Sequence, residues 1–188
     1  MKKGYLLGTL AAVVALWSLT SAINGAVLYK LDSAKSKIKW DIVDQNDKAQ
    51  TGTLKFKSGN IQFDSKRIVG GFFYINMQSL KCTSISDAGF NADLVEWMRG
   101  ERNLNSIKTK EIKVKILKAT RKDVTDGEDN FTISAQVDVK GIKKTIEFPA
   151  LVSFGKKATL KTTFVLPSAD FNMEKDLCLS LDILVIKS

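Results

Sequence analysis

The chain has 188 residues, of which 44% are hydrophobic and 26% are charged, and its formal net charge is +9. This length and balance predict one globular domain and exclude a largely disordered chain or a membrane-embedded helical bundle. The chain contains no histidine, which removes the commonest general base and the commonest metal ligand. We therefore expect no metal site.

Residues 1–22 are predicted to be a signal peptide. Lys2 and Lys3 precede an uncharged run from Tyr5 to Leu19, which has the length of a secretory hydrophobic region and is short for a bilayer span. Small residues follow, so cleavage as late as residue 26 stays open, as does an uncleaved anchor. Export argues against a nucleic-acid partner.

Alternation of apolar and polar residues predicts the first strands, because successive side chains of a strand point to opposite faces. In the segment from Ser36 to Ile42, the inward residues are Ile38, Trp40 and Ile42. Two further strands, at residues 52–57 and 61–64, flank a turn at residues 58–60, so we expect them to pair antiparallel. Their inward residues are Leu54, Phe56 and Phe63.

A longer strand is predicted from Ile68 to Leu80, and its inward residues are Phe73, Ile75 and Met77. Gly70 and Gly71 interrupt the pattern, and the loss of two adjacent side chains indicates a bulge or a sharp bend.

One helix is predicted after this strand. Asn91 can cap it, Leu94, Trp97 and Met98 recur at helical spacing, and Gly100 ends it. Trp97 and Met98 could serve as a mobile lid over one end of a barrel or as a fixed plug, and we favour the plug.

The C-terminal half continues the strand pattern. A strand at residues 111–117 places Val114 inward, and the acidic segment 123–130 is predicted to be a solvated turn. A long hairpin follows over residues 130–154, with a turn at residues 140–144 and with the inward residues Phe131, Ile133 and Phe148. Residues 158–166, which include Phe164, and residues 177–185 complete about eight strands. The predicted fold class is therefore all-β with one short helix.

Several of these stretches, taken in order, resemble the YceI-like family of secreted bacterial proteins. The matching stretches are Tyr29–Asp32 with Trp40, Gly52–Asp64, Gly70–Leu80, and Val139–Lys144 with Phe148–Ala150. The resemblance implies one domain over residues 29–188, folded as a single lipocalin-like antiparallel β-barrel. It also implies a bound isoprenoid lipid, such as the tail of a quinone, and a periplasmic or secreted location. The family has no established catalytic residues.

The predicted ligand-contacting residues are inward-facing apolar residues of the strands together with two residues of the helix. They are Ile38, Trp40, Ile42, Leu54, Phe56, Phe63, Phe73, Ile75, Met77, Trp97, Met98, Val114, Phe131, Ile133, Phe148 and Phe164. An eight-stranded barrel either holds one slender ligand or is filled by its own side chains. The small residues Ala135 and Ala150 favour a channel. The alternative is a non-enzymatic structural or interaction module with a packed barrel.

Other residues carry less specific signals. Glu96 and Glu101 have no visible partner for acid–base chemistry, so we predict neither an enzyme nor a required cofactor. Lysines alternate with apolar residues along several strands, which is typical of solvated strands and would also suit transient contact with an anionic membrane surface. Cys82 and Cys178 could form a disulfide in an exported protein, although sequence alone does not show their proximity. A homodimer also stays open.

Overall fold

The structure is a computed structural model that describes residues 25–43, 48–125 and 127–188. The predicted signal peptide at residues 1–22 lies outside the described residues. Within the described ranges the elements are, in chain order, β1 (Val27–Leu31), β2 (Lys37–Val43), β3 (Ala49–Asp64), β4 (Arg67–Cys82), α1 (Ala88–Arg99), β5 (Glu111–Thr125), β6 (Glu128–Val139), β7 (Ile142–Ser153), β8 (Lys157–Leu166), α2 (Ser168–Phe171) and β9 (Leu177–Lys187). In this part of the chain, neither helix has the length and apolar character needed to cross a membrane.

Eight strand positions close into an antiparallel barrel, which confirms the predicted fold class. Around the barrel the order is β2, β9, β8, β7, β6, β5, β4 and β3, and β3 pairs with β2 to complete the circle. The sequence pattern does not predict β1, which pairs with β3 through Val27↔Phe63 and with β9 through Leu31↔Val185. Because β1 and β2 pair with the same two neighbours, they lie end to end in one position of the barrel wall.

The turn predicted at residues 58–60 is wrong, because β3 runs without a break from Ala49 to Asp64 and pairs with β4. The pairing shifts register between Phe56 and Ser58, so this polar segment lies beside a bulge within one long strand.

The break between β1 and β2 is stabilised by polar side chains. The Asp32 carboxylate accepts hydrogen bonds from the backbone N–H groups of Ala34, at 3.2 Å, and Lys35, at 3.1 Å. The Ser36 hydroxyl accepts a hydrogen bond from the N–H of Leu184 on β9 at 2.9 Å. These bonds satisfy backbone groups that leave the strand ladder, so the chain turns here without leaving the barrel wall.

The predicted register of β4 is confirmed. Phe73, Ile75 and Met77 face the barrel interior and are at most 2% exposed. Phe72 and Tyr74 face outward, where their ring centroids lie 5.2 Å apart. The rings therefore cover each other on the outer face.

The predicted irregularity at the glycine pair in β4 is also confirmed. The pairing of β4 with β3 shifts register between Gln62 and Phe63, opposite this part of β4. Gly71 has a φ of +151°, and a Cβ atom there would lie 2.6 Å from the carbonyl oxygen of Asn60. A glycine is needed because a side chain would collide with the backbone of the neighbouring strand.

The long hairpin consists of β6 and β7, but its predicted five-residue turn is wrong. Val139 pairs directly with Ile142, which leaves Lys140 and Gly141 as a two-residue turn with φ values of 57° and 84°. Positive φ at both positions is the geometry that suits the twist of a two-residue hairpin. The Asp138 carboxylate accepts a hydrogen bond from the N–H of Gly141 at 3.0 Å, so the turn is held by an adjacent side chain.

Helix α1 begins earlier than predicted. Its N-cap is Asp87, whose carboxylate accepts a hydrogen bond from the N–H of Phe90 at 3.0 Å. The predicted cap, Asn91, lies within the helix, and its side-chain amide donates to the carbonyl oxygens of Cys82 and Ile85 at 3.2 and 2.8 Å. The predicted end at Gly100 is confirmed.

The disulfide considered between Cys82 and Cys178 is not formed, and both cysteines are free. Two strands, β3 and β2, separate β4 from β9, which puts the cysteines three strand spacings apart, or about 14 Å. Cys82 is buried among the interior residues, whereas Cys178 alternates with the buried Leu177 and Leu179 and faces outward. A disulfide requires Cα atoms within about 7 Å and converging side chains, so this barrel topology prevents the bond.

Candidate functional site

The barrel interior brings the predicted ligand-contacting residues together. All of them except Trp97 are buried, with exposed fractions from 0% to 6%, and Trp97 is half-buried against the same core. They come from seven of the eight barrel positions and from α1. The inward residues of β9 were not in the predicted set, although their alternation is visible in the sequence; these are Leu177, Leu179, Leu181, Ile183 and Val185.

The interior side chains pack against one another. Residues that lined an open tunnel would be exposed to water, yet Trp40, Ile75 and Met77 are each 0% exposed. Ala135 is likewise 0% exposed and Ala150 is 4% exposed, so larger neighbours fill the space beside both alanines. The channel expected beside these two residues is therefore occupied by side chains in this structure.

Aromatic rings fill the barrel near the end that carries the β3–β4, β5–β6 and β7–β8 turns. The ring centroid of Phe63 lies 5.1 Å from that of Tyr29 and 5.3 Å from that of Phe154. Phe131 lies 6.5 Å from Phe154. All three pairs meet edge to face, which is a favourable arrangement for aromatic rings.

A buried ion pair lies at the same end. The side chain of Asp129 is 5% exposed, and its Oδ1 atom accepts hydrogen bonds from Nε of Arg121, at 2.6 Å, and from Nη2 of the same guanidinium. Asp129 was placed in the solvated acidic turn, and that prediction is wrong for this residue. It shares the inward alternation of Phe131 and Ile133, which was the signal available in the sequence.

The opposite end is covered by α1, by the loop after it and by the segment around α2. Met98, Leu104 and Phe171 contribute buried apolar side chains that are at most 3% exposed. Phe171 belongs to a four-residue helix that the sequence pattern does not predict. A fixed plug and a mobile lid would both cover the end in this way, so the plug favoured for Trp97 and Met98 stays a prediction.

Glu174 connects the parts of this cover. Its carboxylate accepts a hydrogen bond from Nε1 of Trp97 at 2.7 Å and pairs with Nε of Arg102 at 2.5 Å. Its backbone N–H donates to the side-chain oxygen of Asn103 at 3.2 Å. The α1 region and the α2 segment are thus joined by polar contacts around one carboxylate.

The titratable groups on the outer surface are described by their hydrogen bonds, their burial and their ion pairs. Hydrogen bonds from the backbone N–H, at 2.7 Å, and the side chain of Ser168 lower the pKa of Asp176 and fix the start of α2. Burial, followed by the nearby Asp41 carboxylate, raises the pKa of the Cys178 thiol, which reduces its thiolate fraction. Glu101 pairs with Lys108 at 3.2 Å. Among the described residues, no three cysteine or carboxylate side chains cluster as metal ligands.

The alternating lysines lie on the outer surface. The exposed ones include Lys37, Lys39, Lys55, Lys57, Lys113 and Lys115. Lys37 and Lys39 border a shallow cleft of about 650 Å³ on the outer face of β2, β9, β8 and β7, whose floor includes Pro149 and Leu151. Lys57 and Lys113 flank Glu111 at 3.0 and 4.0 Å. The charges are therefore separated from the apolar interior by the barrel wall.

A closed antiparallel barrel with an apolar interior and a helical cover at one end defines a lipocalin-like β-barrel protein. The model of the YceI-like domain matches residues 29–186, and the chain belongs to this family. No curated protein matches it by sequence.

Several solved structures have a similar fold. BcnA from Burkholderia cenocepacia gives a TM-score of 0.62 at 15% identity, over 82% of this chain and 98% of that one. A polyisoprenoid binding domain from Saccharophagus degradans, implicated in plant cell wall breakdown, gives 0.62 at 12% identity, over 86% and 99%. The Campylobacter jejuni YCEI protein gives 0.52 at 12% identity, over 71% and 82%. At these identities the likeness concerns the fold alone.

Proposed function

We propose that this protein binds the chain of an isoprenoid lipid, including that of a quinone, within its barrel, and that it sequesters or transfers this lipid. The observation that carries the proposal is a closed eight-stranded barrel whose inward face is predominantly apolar on every strand. Its one buried charged side chain among the described residues, Asp129, is paired with Arg121 near the end of the barrel. The fold shared with a polyisoprenoid binding domain supports the same ligand class.

Binding must be coupled to rearrangement, because the interior side chains already bury one another. An incoming chain gains about 25 cal/mol for each Å² of apolar surface removed from water, and part of this gain is lost in displacing side chains. The apparent affinity therefore depends on how often the barrel samples an open state. A slender, flexible lipid chain can fit into this interior if the buried side chains rotate to make space for it.

The proposal includes export to the bacterial periplasm or the medium, supported by the lysines and the uncharged run within residues 1–22. The exposed lysines of the strands would also suit a transient approach to an anionic membrane, where each lysine contributes about 1 kcal/mol. Neither a catalytic step nor a cofactor is part of this function.

Recovery of the natural ligand is the direct test. The full chain is expressed in a bacterium, purified from the periplasm, and extracted with organic solvent for mass spectrometry. We expect roughly one isoprenoid lipid per protein chain, or saturable uptake of an added long-chain quinone by lipid-free protein. Absence of both, with the protein folded, would overturn the proposal.

The second candidate is an interaction module whose barrel is a packed core and whose function lies on its surface. The low exposure of the predicted lining residues, at most 6% apart from Trp97, favours it. A fluorescence measurement separates the two, because Trp40 lies in the barrel and is 0% exposed. In the exported Trp97→Phe protein, a quinone bound inside the barrel should quench Trp40 emission saturably. A packed module should leave that emission unchanged.

A further inference from the structure

The wall of the barrel is incompletely paired between β7 and β8. Their register covers only the four pairs from Ala150↔Thr162 to Ser153↔Thr159, at one end of both strands. On its other side, β7 pairs with β6 along its length, from Val139↔Ile142 to Asp129↔Val152. We call the unpaired stretch, formed by residues 142–149 of β7 and 163–166 of β8, the β7–β8 seam.

Pro149 explains where the ladder stops. In a two-residue hairpin the closing pair, Val139↔Ile142, is hydrogen-bonded, so the even-numbered residues of β7 bond to β6 and the odd-numbered ones face β8. The next bonded pair after Leu151↔Lys161 would be Pro149 with Thr163, but proline has no N–H to donate. The carbonyl oxygen of Pro149 instead accepts a hydrogen bond from the hydroxyl of Thr162 at 2.6 Å.

Side chains close the seam. Phe148 and Phe164 come from opposite sides of it, and their rings stack with centroids 4.7 Å apart and planes 24° apart. Both are buried, at 3% and 5% exposure. The aromatic stack therefore takes the place of a strand ladder at this point in the wall.

The segment around α2 spans the outer end of the seam. Asp170 of α2 pairs with Nζ of Lys144 on β7 at 3.2 Å, although both side chains are nearly half exposed, at 45% and 44%. Nζ of Lys140, in the β6–β7 turn, donates to the carbonyl oxygen of Asn172 at 2.7 Å. Phe171, between these contacts, is 0% exposed.

Opening the seam breaks fewer strong interactions than opening a fully paired edge. A fully paired edge such as β8–β9, which is in register from Lys157↔Ile186 to Leu166↔Leu177, would lose its backbone hydrogen bonds. The seam loses an aromatic stack, one exposed ion pair and side-chain hydrogen bonds to the carbonyl oxygens of Pro149 and Asn172. Exposed ion pairs contribute little to stability. The incomplete ladder thus makes this part of the wall easier to part than the β8–β9 edge.

We propose that the apolar chain of a lipid enters the barrel through the β7–β8 seam, where it displaces the Phe148–Phe164 stack while the α2 segment moves aside. The rings then form a subsite that contacts the isoprenoid chain. This inference rests on the proposed function, because it concerns the route by which the same ligand reaches the interior.

Cross-linking across the seam tests the route. In a Trp97→Phe, Cys82→Ala, Cys178→Ser background, Glu147→Cys and Val165→Cys place one outward thiol on each side of the seam, and a reducible bis-thiosulfonate reagent joins them. The matched control is Leu151→Cys with Lys161→Cys, a pair already in register in the closed part of the same two strands. Uptake of a long-chain quinone is then followed by Trp40 quenching, before and after the linker is reduced.

We expect the seam linker to slow uptake by about tenfold or more, with recovery on reduction, whereas the control linker should have little effect. Equal rates for the linked and reduced seam variants would overturn the route while leaving lipid binding intact. Absence of uptake by every variant, including the unmodified protein, would overturn the proposed function and the route with it.

Amide hydrogen exchange tests the seam without lipid or linker. The N–H groups of Thr145 and Glu147 face the seam, whereas those of Leu151 and Ser153 face the paired part of β8. We expect the first pair to exchange faster by about tenfold or more, as for amides outside a strand ladder. Equal protection of both pairs would contradict an openable seam.

Discussion

The absence of a side chain at Gly52 makes room for Trp40, the largest residue of the barrel interior. Gly52 lies on β3 opposite Trp40 of β2 and Cys82 of β4. A Cβ atom there would lie 1.9 Å from the carbonyl oxygen of Lys81 and 2.4 Å from the Trp40 ring. The indole lies over this glycine and donates from Nε1 to the Lys81 carbonyl at 3.1 Å. The hydrogen bond and the packing of Trp40 therefore depend on the glycine.

Gly52→Ala should destabilise the protein by about 2–4 kcal/mol, because the added methyl group collides with backbone and with a fully buried ring. Urea denaturation followed by circular dichroism measures the change. Gly155→Ala is the matched control, since a Cβ atom there would approach no heavy atom closer than 3.4 Å. A Gly52→Ala protein as stable as the Gly155→Ala protein would contradict this account of the Trp40 site.

The β5–β6 hairpin combines an irregular ladder with an ion pair. Its register shifts between Arg121 and Val124, close to where Arg121 reaches across to Asp129 on β6. The carboxylate is 5% exposed whereas the guanidinium side chain is 41% exposed. Removing the arginine would leave a buried carboxylate without a partner. Removing the carboxylate charge would leave a guanidinium that water can hydrate.

Arg121→Met should cost about 2–3 kcal/mol, because it keeps the length of the side chain but leaves a buried carboxylate without its partner. Asp129→Asn should cost less, about 1 kcal/mol, since the amide oxygen still accepts a hydrogen bond and the half-exposed guanidinium can be hydrated. Urea denaturation of both variants gives the order. A larger loss for Asp129→Asn than for Arg121→Met would contradict the assigned burial.

At the scale of the whole molecule, barrel closure determines which distant residues meet. β3 pairs with β2 on one side and with β4 on the other, so segments far apart in sequence form one continuous wall. The same closure places the two cysteines on different strands and opposite faces. The fold is therefore stabilised by strand pairing and by a single apolar core, with no contribution from a disulfide among the described residues.

Reductant should leave the thermal unfolding midpoint of the exported protein unchanged, because a span of about 14 Å cannot be bridged by one disulfide. Differential scanning calorimetry with and without reductant measures this, and the Cys82→Ala, Cys178→Ser variant supplies the control. Thiol titration of the unfolded protein should find two free thiols. A midpoint that falls with reductant only in the unmodified protein would show that the bond forms.

Local alternation determined most of the strand assignments and the inward faces. Ile38, Trp40 and Ile42 on β2 and Phe73, Ile75 and Met77 on β4 follow a period of two that burial confirms. This pattern can be read from sequence because a strand with one dry face must alternate. Asp129 follows the same alternation. Its charge nevertheless favoured the prediction of a solvent-exposed turn, because a carboxylate without a partner is rarely buried.

Only the tertiary structure decided the features that depend on partners from elsewhere in the chain. Phe171 is buried because α2 covers the end of the barrel, and Asp129 is buried because Arg121 reaches it from another strand. Pro149 ends a ladder only because its nitrogen faces β8, a direction set by the two-residue turn at Lys140 and Gly141. Sequence periodicity reports which face of a strand is buried. It does not report which strand lies beside it, because strand pairing is a long-range contact that forms only when the barrel closes.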